Sequence, residues 1–302
     1  MSHGHHHGHH HSAASAVENK RALRIVLGLT SAFLVVEVAG GVMSHSLALL
    51  ADAGHMATDV AGLALALVAI SFAERPATPE RTYGYYRVEI LAALTNATVL
   101  GGVSLFILYE AWLRFREPPE VHTGLMLVVA TLALAVNVAG VLILRAHARG
   151  SLNMKGVYFE MLADMLAAIG VIAAALIMRT SGWYYADPLI SAGIALVILP
   201  RTWGLLKEAV GVLLEGTPAD VNLTALRQAI GSVAGVVGVH DLHVWTLTSG
   251  VHAMSAHAVL AEGAAHPEVL SAIQSCVASD FKIAHITVQV EARGCAEWET
   301  HL

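Results

Sequence analysis

Charged residues and cysteines are both scarce in this sequence. Only 13% of the 302 residues are charged, whereas an ordinary soluble domain carries about 25%, so a typical soluble globule is excluded. The two cysteines, Cys276 and Cys295, are too few for a disulfide framework and lack the paired spacing of a zinc ribbon. The formal net charge of −6 gives no basic face for a nucleic acid, and we expect no such partner.

The sequence contains several long apolar segments. A helix that crosses a bilayer needs about 20 mostly apolar residues, and the sequence has six such segments before residue 206. They are residues 24–43, 47–72, 88–113, 124–144, 157–178 and 188–205. The sequence therefore predicts an α-helical membrane protein with six transmembrane helices, in contact with membrane lipid.

The positions of Lys and Arg predict how the chain is oriented. Cytoplasmic flanks of membrane helices carry an excess of these residues. If the N-terminus lies inside, most of the flanking Lys and Arg fall on the cytoplasmic side, and only Arg114, Arg116 and Arg179 fall on the other. Because the number of spans is even, both termini are expected in the cytoplasm.

The chain is expected to have three parts. Residues 1–19 are rich in His, Gly and Ser, which is typical of a disordered tail and here favours a metal-binding one in the cytoplasm. Residues 20–205 form the membrane domain. Residues 206–302 have the composition of a small soluble domain, with a helix ending near 233, strands at 239–247 and 251–260, a helix at 267–279 and a strand at 285–291. This αββαβ order predicts a compact cytoplasmic α+β domain.

Two pairs of ionisable residues lie inside predicted spans. His55 and Asp59 in the second span, and Glu160 and Asp164 in the fifth, are each four residues apart, which places both members of a pair on one helix face. Either pair alone could be a hydrogen-bonded core pair. Three carboxylates crowded beside one imidazole would repel one another unless a cation lay among them, so the four residues are predicted to bind a divalent metal.

Protons are expected to compete with the metal for these atoms. Crowded carboxylates bind protons more readily than isolated ones, and an imidazole titrates near neutral pH. A site that exchanges a metal for protons is the physical basis of an antiporter. Asp52, three residues before His55, is a further candidate to orient that histidine or to carry protons.

Other polar residues of the spans are given structural roles. Glu37, Asn96 and Asn137 are expected to make hydrogen bonds between helices. Three acidic residues near span ends are expected to lie at the membrane interface: Glu89, Glu110 and Asp187.

Five segments of the sequence together resemble the cation diffusion facilitators, specifically the bacterial cobalt-zinc-cadmium resistance branch that is similar to vertebrate zinc transporters. They are residues 46–59, Arg-Thr-Tyr-Gly-Tyr-Tyr-Arg-Val-Glu-Ile at 81–90, the fifth-span pair, Leu-Glu-Gly-Thr-Pro at 214–218 and His-Asp-Leu-His-Val-Trp at 240–245. The likeness covers nearly all of residues 20–292. It implies a homodimeric, proton-coupled exporter of zinc or a similar divalent ion in a bacterial inner membrane, which alternates between inward-open and outward-open states and has a metallochaperone-like cytoplasmic domain.

The resemblance also assigns metal ligands. It implies that His55, Asp59, Glu160 and Asp164 form the transport site. It further implies a regulatory metal at the dimer interface, bound by His240, His257 and Glu291. The residues themselves leave surface or strand-capping histidines open as an alternative, and they leave open whether further side chains bind metal: His243, His252, His285, Cys295 and His301.

The sequence departs from the family at Glu160. Zinc-transporting relatives usually have His there, and a carboxylate is a harder ligand than an imidazole. Zn²⁺ is the expected substrate and regulatory ligand, but Cd²⁺, Co²⁺, Ni²⁺ or Mn²⁺ are alternatives. The loop at 74–81 contains no His or Cys, and no metal site is predicted there.

Two other classes compete with a transporter. A membrane metal sensor would bind metal through the same cluster without moving it. An intramembrane metalloenzyme would need an open coordination position and a general base, and four protein ligands leave no obvious opening, so no enzyme is expected. ATP-driven pumping is also not expected, because no Gly-rich loop ends in Gly-Lys-Ser/Thr.

Overall fold

The computed structural model describes residues 27–28, 30–73, 77–145 and 152–292. Within these residues six long helices come first. They are α1 (Thr30–Ser44), α2 (Leu47–Ala73), α3 (Arg87–Arg116), α4 (Thr123–Arg145), α5 (Leu152–Ser181) and α6 (Ala186–Leu213). Two shorter helices and three strands follow: α7 (Leu223–Gly231), β1 (Val236–Thr248), β2 (Val251–Leu260), α8 (His266–Phe281) and β3 (His285–Glu291). The predicted tail, residues 1–19, lies outside the described part.

The six helices coincide with the six predicted apolar segments, and most extend beyond them. Helix α6 continues past the end predicted at residue 205 to Leu213, with Pro200 inside it. By length and composition, three described helical segments could cross a membrane, namely Arg87–Arg116, Leu162–Ser181 and Ala186–Leu213. Shorter apolar stretches are Thr30–Ser44 and Thr123–Ala139. The predicted fold class, a helical membrane domain followed by a small α+β domain, is confirmed.

The described chain divides into two compact units. The first contains residues up to 68 together with 95–206, and the second contains 69–94 together with 207–292. In the first unit, α4 and α5 pack along each other, and buried apolar side chains of both helices meet the beginning of α2. This core includes Leu49, Met126, Val171 and Met178, and it fixes α2 against α5, the two helices that carry the predicted transport ligands.

Helix α2 begins at Leu47 because its first N–H groups are all satisfied. Asp187 of α6 accepts hydrogen bonds from the backbone N–H of Leu47 at 2.8 Å and of Ala48 at 3.2 Å. The hydroxyl of Ser46 accepts from the N–H of Leu49 at 3.2 Å and donates to Asp187 at 2.6 Å. These donors would otherwise be unpaired at a helix start.

Asp187, which the sequence predicts at the membrane interface, is buried inside the protein. Only 1% of its surface is exposed, and its ion-pair partner is Arg114 of α3, whose Nη1 lies 3.4 Å from Oδ2. The same nitrogen donates to the carbonyl of His45 at 2.6 Å. The carboxylate is buried because it serves α2 and Arg114 together, which its position near a span end does not reveal.

The second unit contains a three-stranded sheet in the order β1-β2-β3. Strands β1 and β2 are antiparallel, and β2 and β3 are parallel. Helix α7 begins where the side chain of Asn222 accepts from the N–H of Ala225 at 3.0 Å, which pairs a donor at the helix start. Leu226 of α7 and Ile273 of α8 are fully buried in one apolar core with the sheet, so the predicted αββαβ order is confirmed.

The start of α3 belongs to this second unit. Arg87 pairs with Glu215 at 2.7 Å. Glu89 accepts hydrogen bonds from the hydroxyls of Thr248 and Ser249, in the turn that joins β1 to β2. Glu89 is thus bound within the protein, although its place near a span end predicted the membrane interface.

Candidate metal centres

Three of the predicted transport ligands meet between α2 and α5. One ligand atom each from His55, Asp59 and Asp164 lies within 4.8 Å of the other two. The closest approach joins Nε2 of His55 to Oδ1 of Asp164 at 3.1 Å. The side chains are 14% exposed at His55 and 19% at Asp164, so the cluster is largely withdrawn from the surface.

The separations fit a small divalent cation after a modest contraction. Nitrogen and oxygen ligands lie about 2.0–2.2 Å from zinc, which places them about 3.3–3.6 Å apart around a tetrahedral ion. The His55–Asp164 distance of 3.1 Å is close to this range, and the rest of the cluster lies within 4.8 Å. Nδ1 of His55 is buried without a hydrogen-bond partner among the described residues, whereas Nε2 faces the carboxylate of Asp164.

Glu160, the fourth predicted ligand, lies on the helical backbone of α5 one turn before Asp164. Its side chain lies outside the described residues. The i, i+4 spacing keeps the two residues on one face of α5, as the sequence predicts.

A hydrogen bond from α3 supports α2 beside the cluster. Nδ2 of Asn96 donates to the carbonyl of Thr58 at 3.3 Å. The hydroxyl of Thr58 in turn donates to the carbonyl of His55 at 2.6 Å. The predicted interhelical hydrogen bond of Asn96 is confirmed, and it reaches the helical turn between His55 and Asp59.

Glu37 of α1 behaves differently from its prediction. It is fully buried, and neither carboxylate oxygen has a hydrogen-bond partner among the described residues. The interhelical hydrogen bond expected from the sequence is therefore absent from that part of the structure. Its carboxyl group interacts with that of Asp52 on α2, which is also buried, with 6% exposed.

A second cluster lies on the sheet of the second unit. His240 and His257 are directly paired across β1 and β2, and Glu291 ends β3 beside Val259. Nε2 of His240 lies 3.2 Å from Oε2 of Glu291, and Nδ1 of His257 lies 2.8 Å from Oε1. The contact of His257 lacks hydrogen-bond geometry, and each histidine places one ring nitrogen beside the carboxylate of Glu291. One ligand atom from each residue lies within 4.8 Å of the others.

The backbone at Asp241 shapes the rim of this cluster. Asp241 has a positive φ of 49° and lies at an irregularity in the β1–β2 register between His240 and His243. Its Oδ1 is 2.8 Å from Nε2 of His243. The hydrogen bond from His243, with smaller contributions from the nearby histidine charges, holds the pKa of the Asp241 carboxyl below its usual value.

The other candidate ligands of this domain do not join the three-residue cluster within the described chain. His252 is buried between Thr246 and Asp220. The ring of His285 contacts the edge of Tyr83 at a centroid distance of 5.3 Å. Cys295 and His301 lie outside the described residues.

Comparison with protein families gives two matches that together cover most of the chain. Residues 23–214 match the family described as the cation efflux transmembrane domain. Residues 218–293 match the family described as the cation efflux protein, cytoplasmic domain.

Similar proteins of full length come from several bacteria. The chain is 48% identical to the metal cation efflux system protein CzcD of Cupriavidus metallidurans, over 92% of this chain and 89% of that protein. It is 38% identical to the zinc transporter ZitB of Escherichia coli (94% and 91% covered). It is 37% identical to the cadmium, cobalt and zinc/H⁺-K⁺ antiporter of Bacillus subtilis (90% and 89% covered).

Among solved structures, the metal-bound C-terminal domain of the CzcD transporter from Cupriavidus metallidurans is 36% identical to this chain. The match covers 24% of this chain and 99% of that domain, with a TM-score of 0.23.

Proposed function

The chain belongs to the cation efflux family, and from that premise we propose that it exports a divalent transition-metal cation, in the first instance Zn²⁺, from the cytoplasm in exchange for protons. The relatives are named as efflux proteins, antiporters or transporters, so the chain is a multi-pass membrane transporter rather than an enzyme. The exchanged ions and the direction of movement are the proposal.

The convergence of His55, Asp59 and Asp164 carries this proposal. Two apolar helices bring one imidazole and two carboxylates to within 4.8 Å, and ionisable groups inside membrane helices are costly unless they have a function. Glu160 completes the proposed transport site from the next turn of α5. The four ligands offer the nitrogen and oxygen atoms that Zn²⁺ binds in proteins.

The same atoms provide the coupling to protons. A metal binds the neutral imidazole and the carboxylates only after protons leave them. We propose that cytosolic metal displaces protons from the site, that the helices then open it outward, and that external protons expel the metal. Each proton moving inward gains about 2.3 kcal/mol per 100 mV, whereas a divalent cation moving outward costs about twice that. Proton exchange therefore offsets part of the electrical work.

The proposal includes the arrangement of the chain in the cell. Residues 20–205 form the membrane domain in a bacterial inner membrane, with both termini in the cytoplasm, as the distribution of Lys and Arg favours. Residues 206–302 form the cytoplasmic dimerisation and metal-binding domain. The tail, residues 1–19, supplies metal to the transport site.

Transport is tested in proteoliposomes that contain a zinc-sensitive dye, with a permeant anion present to hold the membrane potential near zero. At equilibrium, Zn²⁺ accumulation is expected to rise about tenfold per pH unit for every coupled proton. Its slope against the imposed pH difference then gives the number of protons. Cd²⁺, Co²⁺, Ni²⁺ and Mn²⁺ are tested in the same vesicles, because the carboxylate of Glu160 favours harder ions than an imidazole would.

The alternative function, a membrane metal sensor, makes the opposite prediction. The wild-type protein would bind Zn²⁺ but would accumulate no ion at any imposed pH difference. Vesicles without protein, and vesicles in which nigericin collapses the pH gradient, provide the controls. Binding without accumulation would replace the transporter proposal with the sensor.

We also propose that His240, His257 and Glu291 bind a regulatory Zn²⁺ that strengthens the homodimer. The support is their convergence on one sheet and the burial of Glu291, whose Oε1 accepts from Nε2 of Gln289 at 3.0 Å. Side chains fixed in this way bind metal with little loss of conformational freedom.

Replacing His257 with alanine is expected to weaken zinc binding at the cytoplasmic cluster by about 100-fold, because removing a ligand costs at least as much as removing its supporting partner. Zinc titration is performed on the full chain in the Asp164→Ala background, so that the transport site does not contribute. His266→Ala, at the exposed beginning of α8, is the matched control and should leave the affinity unchanged. Equal affinities for the His257 variant and the control would remove the cluster from the proposal.

A further inference from the structure

Glu37 is a carboxylic acid buried without compensation. It lies on α1 with none of its surface exposed, and both oxygens lack a hydrogen-bond partner among the described residues. Gly40, one turn further along, explains how the group becomes buried. A Cβ at Gly40 would come within 2.7 Å of Val129 on α4, so the glycine allows α1 and α4 to approach closely on the side that carries Glu37.

Asp52 of α2 is the charged group that acts most strongly on Glu37 among the described residues. The two carboxyl groups act on each other electrostatically, and both are buried. The other charged groups that face this pair in the described chain are Asp164 of α5, which acts on both, and His55 of α2, which acts on Asp52. Neither a lysine nor an arginine is among the described groups that act on the pair.

Two buried carboxylates that act on each other are costly to keep charged at the same time. An isolated carboxylate in an apolar interior becomes neutral rather than lose its hydration, and like charges at close range leave one member protonated. The pair offers only carboxylate oxygens and joins neither of the metal-ligand clusters of the described residues. A proton, which needs no coordination shell, is therefore the cation that these two groups can hold.

The position of Asp52 connects the pair to the transport site. One face of α2 carries Asp52 at position i, His55 at i+3 and Asp59 at i+7. Asp52 is one turn nearer than His55 to the beginning of α2, which is the outer end in the proposed orientation. A proton arriving from outside would thus meet the pair before it meets the metal ligands.

We propose that Glu37 and Asp52 form a proton-binding site, separate from the metal cluster, that carries one of the counter-transported protons. This inference rests on the proposed proton-coupled export. The pair takes up a proton from the outer side as the metal leaves, and it releases that proton to the cytoplasm when a new metal ion charges the neighbouring cluster. The two sites are linked through Asp164, which faces both.

The test uses the full chain in proteoliposomes and measures the slope of Zn²⁺ accumulation against the imposed pH difference. Glu37→Gln, which cannot hold an exchangeable proton, is expected to lower the slope by one proton, so that accumulation at a difference of one pH unit falls about tenfold. Glu37→Asp keeps the acid and should retain the wild-type slope. Ser104→Ala is the matched control, because Ser104 is also a buried polar residue without a partner in the described chain.

The outcomes separate this inference from the proposed function. A wild-type slope of zero would reject proton-coupled export itself. If the wild-type slope is above zero and the slope of Glu37→Gln equals it, the proton site alone is rejected. If Glu37→Gln does not fold, Asp52→Asn provides the same comparison, and a slope equal to that of the wild type would again overturn the inference. Replacing K⁺ by choline on both sides should leave the slope unaltered, and a loss of coupling there would overturn the assignment of a proton.

Discussion

Replacing Asp164 with alanine is expected to reduce gradient-driven zinc accumulation by about 100-fold or more, because loss of a metal ligand exceeds the 10- to 100-fold effect of losing a supporting partner. Asp164 lies 3.1 Å from His55 and faces Glu37 and Asp52 as well. Its removal takes one oxygen ligand from the metal and leaves Nε2 of His55 without its carboxylate partner.

Zinc flux and zinc binding are measured on the same preparation for this variant. Asp164→Asn keeps the size of the side chain but cannot carry the negative charge, so its zinc accumulation should fall nearly as much as that of Asp164→Ala. Thr131→Ala is the control, because Thr131 is exposed on α4 and its hydroxyl donates only within its own helix, to the carbonyl of Leu127. Zinc transport at half the wild-type rate or faster in Asp164→Ala would show that the cluster is not the transport site.

Replacing Asp187 with alanine is expected to destabilise the membrane unit by about 3 kcal/mol or more, the effect of removing one partner of a buried ion pair. The substitution leaves the N–H groups of Leu47 and Ala48 without their acceptor and Arg114 without its carboxylate. The beginning of α2 would fray, and the helix that carries His55 and Asp59 would lose its fixed starting point. Transport should fall together with stability.

Thermal unfolding in detergent measures the effect on stability, and the midpoint should fall by roughly 5–10 °C. Ser191→Ala is the matched control for Asp187→Ala, because Ser191 is fully buried on the same helix and its hydroxyl donates to the backbone carbonyl of Asp187, four residues earlier. Its loss breaks a bond within α6 alone, so the midpoint should change little. Equal midpoints in the Asp187 and Ser191 variants would contradict a capping role for Asp187.

The helices and their ligand pairs were predictable because their signals are local. Six apolar segments mark six helices, and a spacing of four residues places His55 with Asp59 on one face whatever the neighbouring helices do. The elements of the second unit were predictable for a similar reason. Apolar and polar residues alternate along 251–260, and Pro267 lies at a helix start, so each signal is contained within a single element.

The partners of isolated buried acids were not predictable in this way. Asp187 looks like any acidic residue at a span end, but it accepts from residues about 140 positions away. Glu37 looks in the sequence like an ordinary residue for an interhelical hydrogen bond. In the structure α1 and α4 approach closely at Gly40, and the carboxyl group of Glu37 is buried without a hydrogen-bond partner among the described residues. A single sequence records the residue types of such contacts but not the distances between them.

The sequence by itself determined the membrane class, the six helices, the αββαβ domain and the pair of ionisable residues on each of α2 and α5, because helical and strand periodicity and the exclusion of charge from lipid act along the chain. Only the tertiary structure decided that Asp187 begins α2, that Glu37 meets Asp52, and that His240, His257 and Glu291 converge across three strands. These contacts join residues far apart in sequence, and their geometry depends on how whole helices and strands pack against one another.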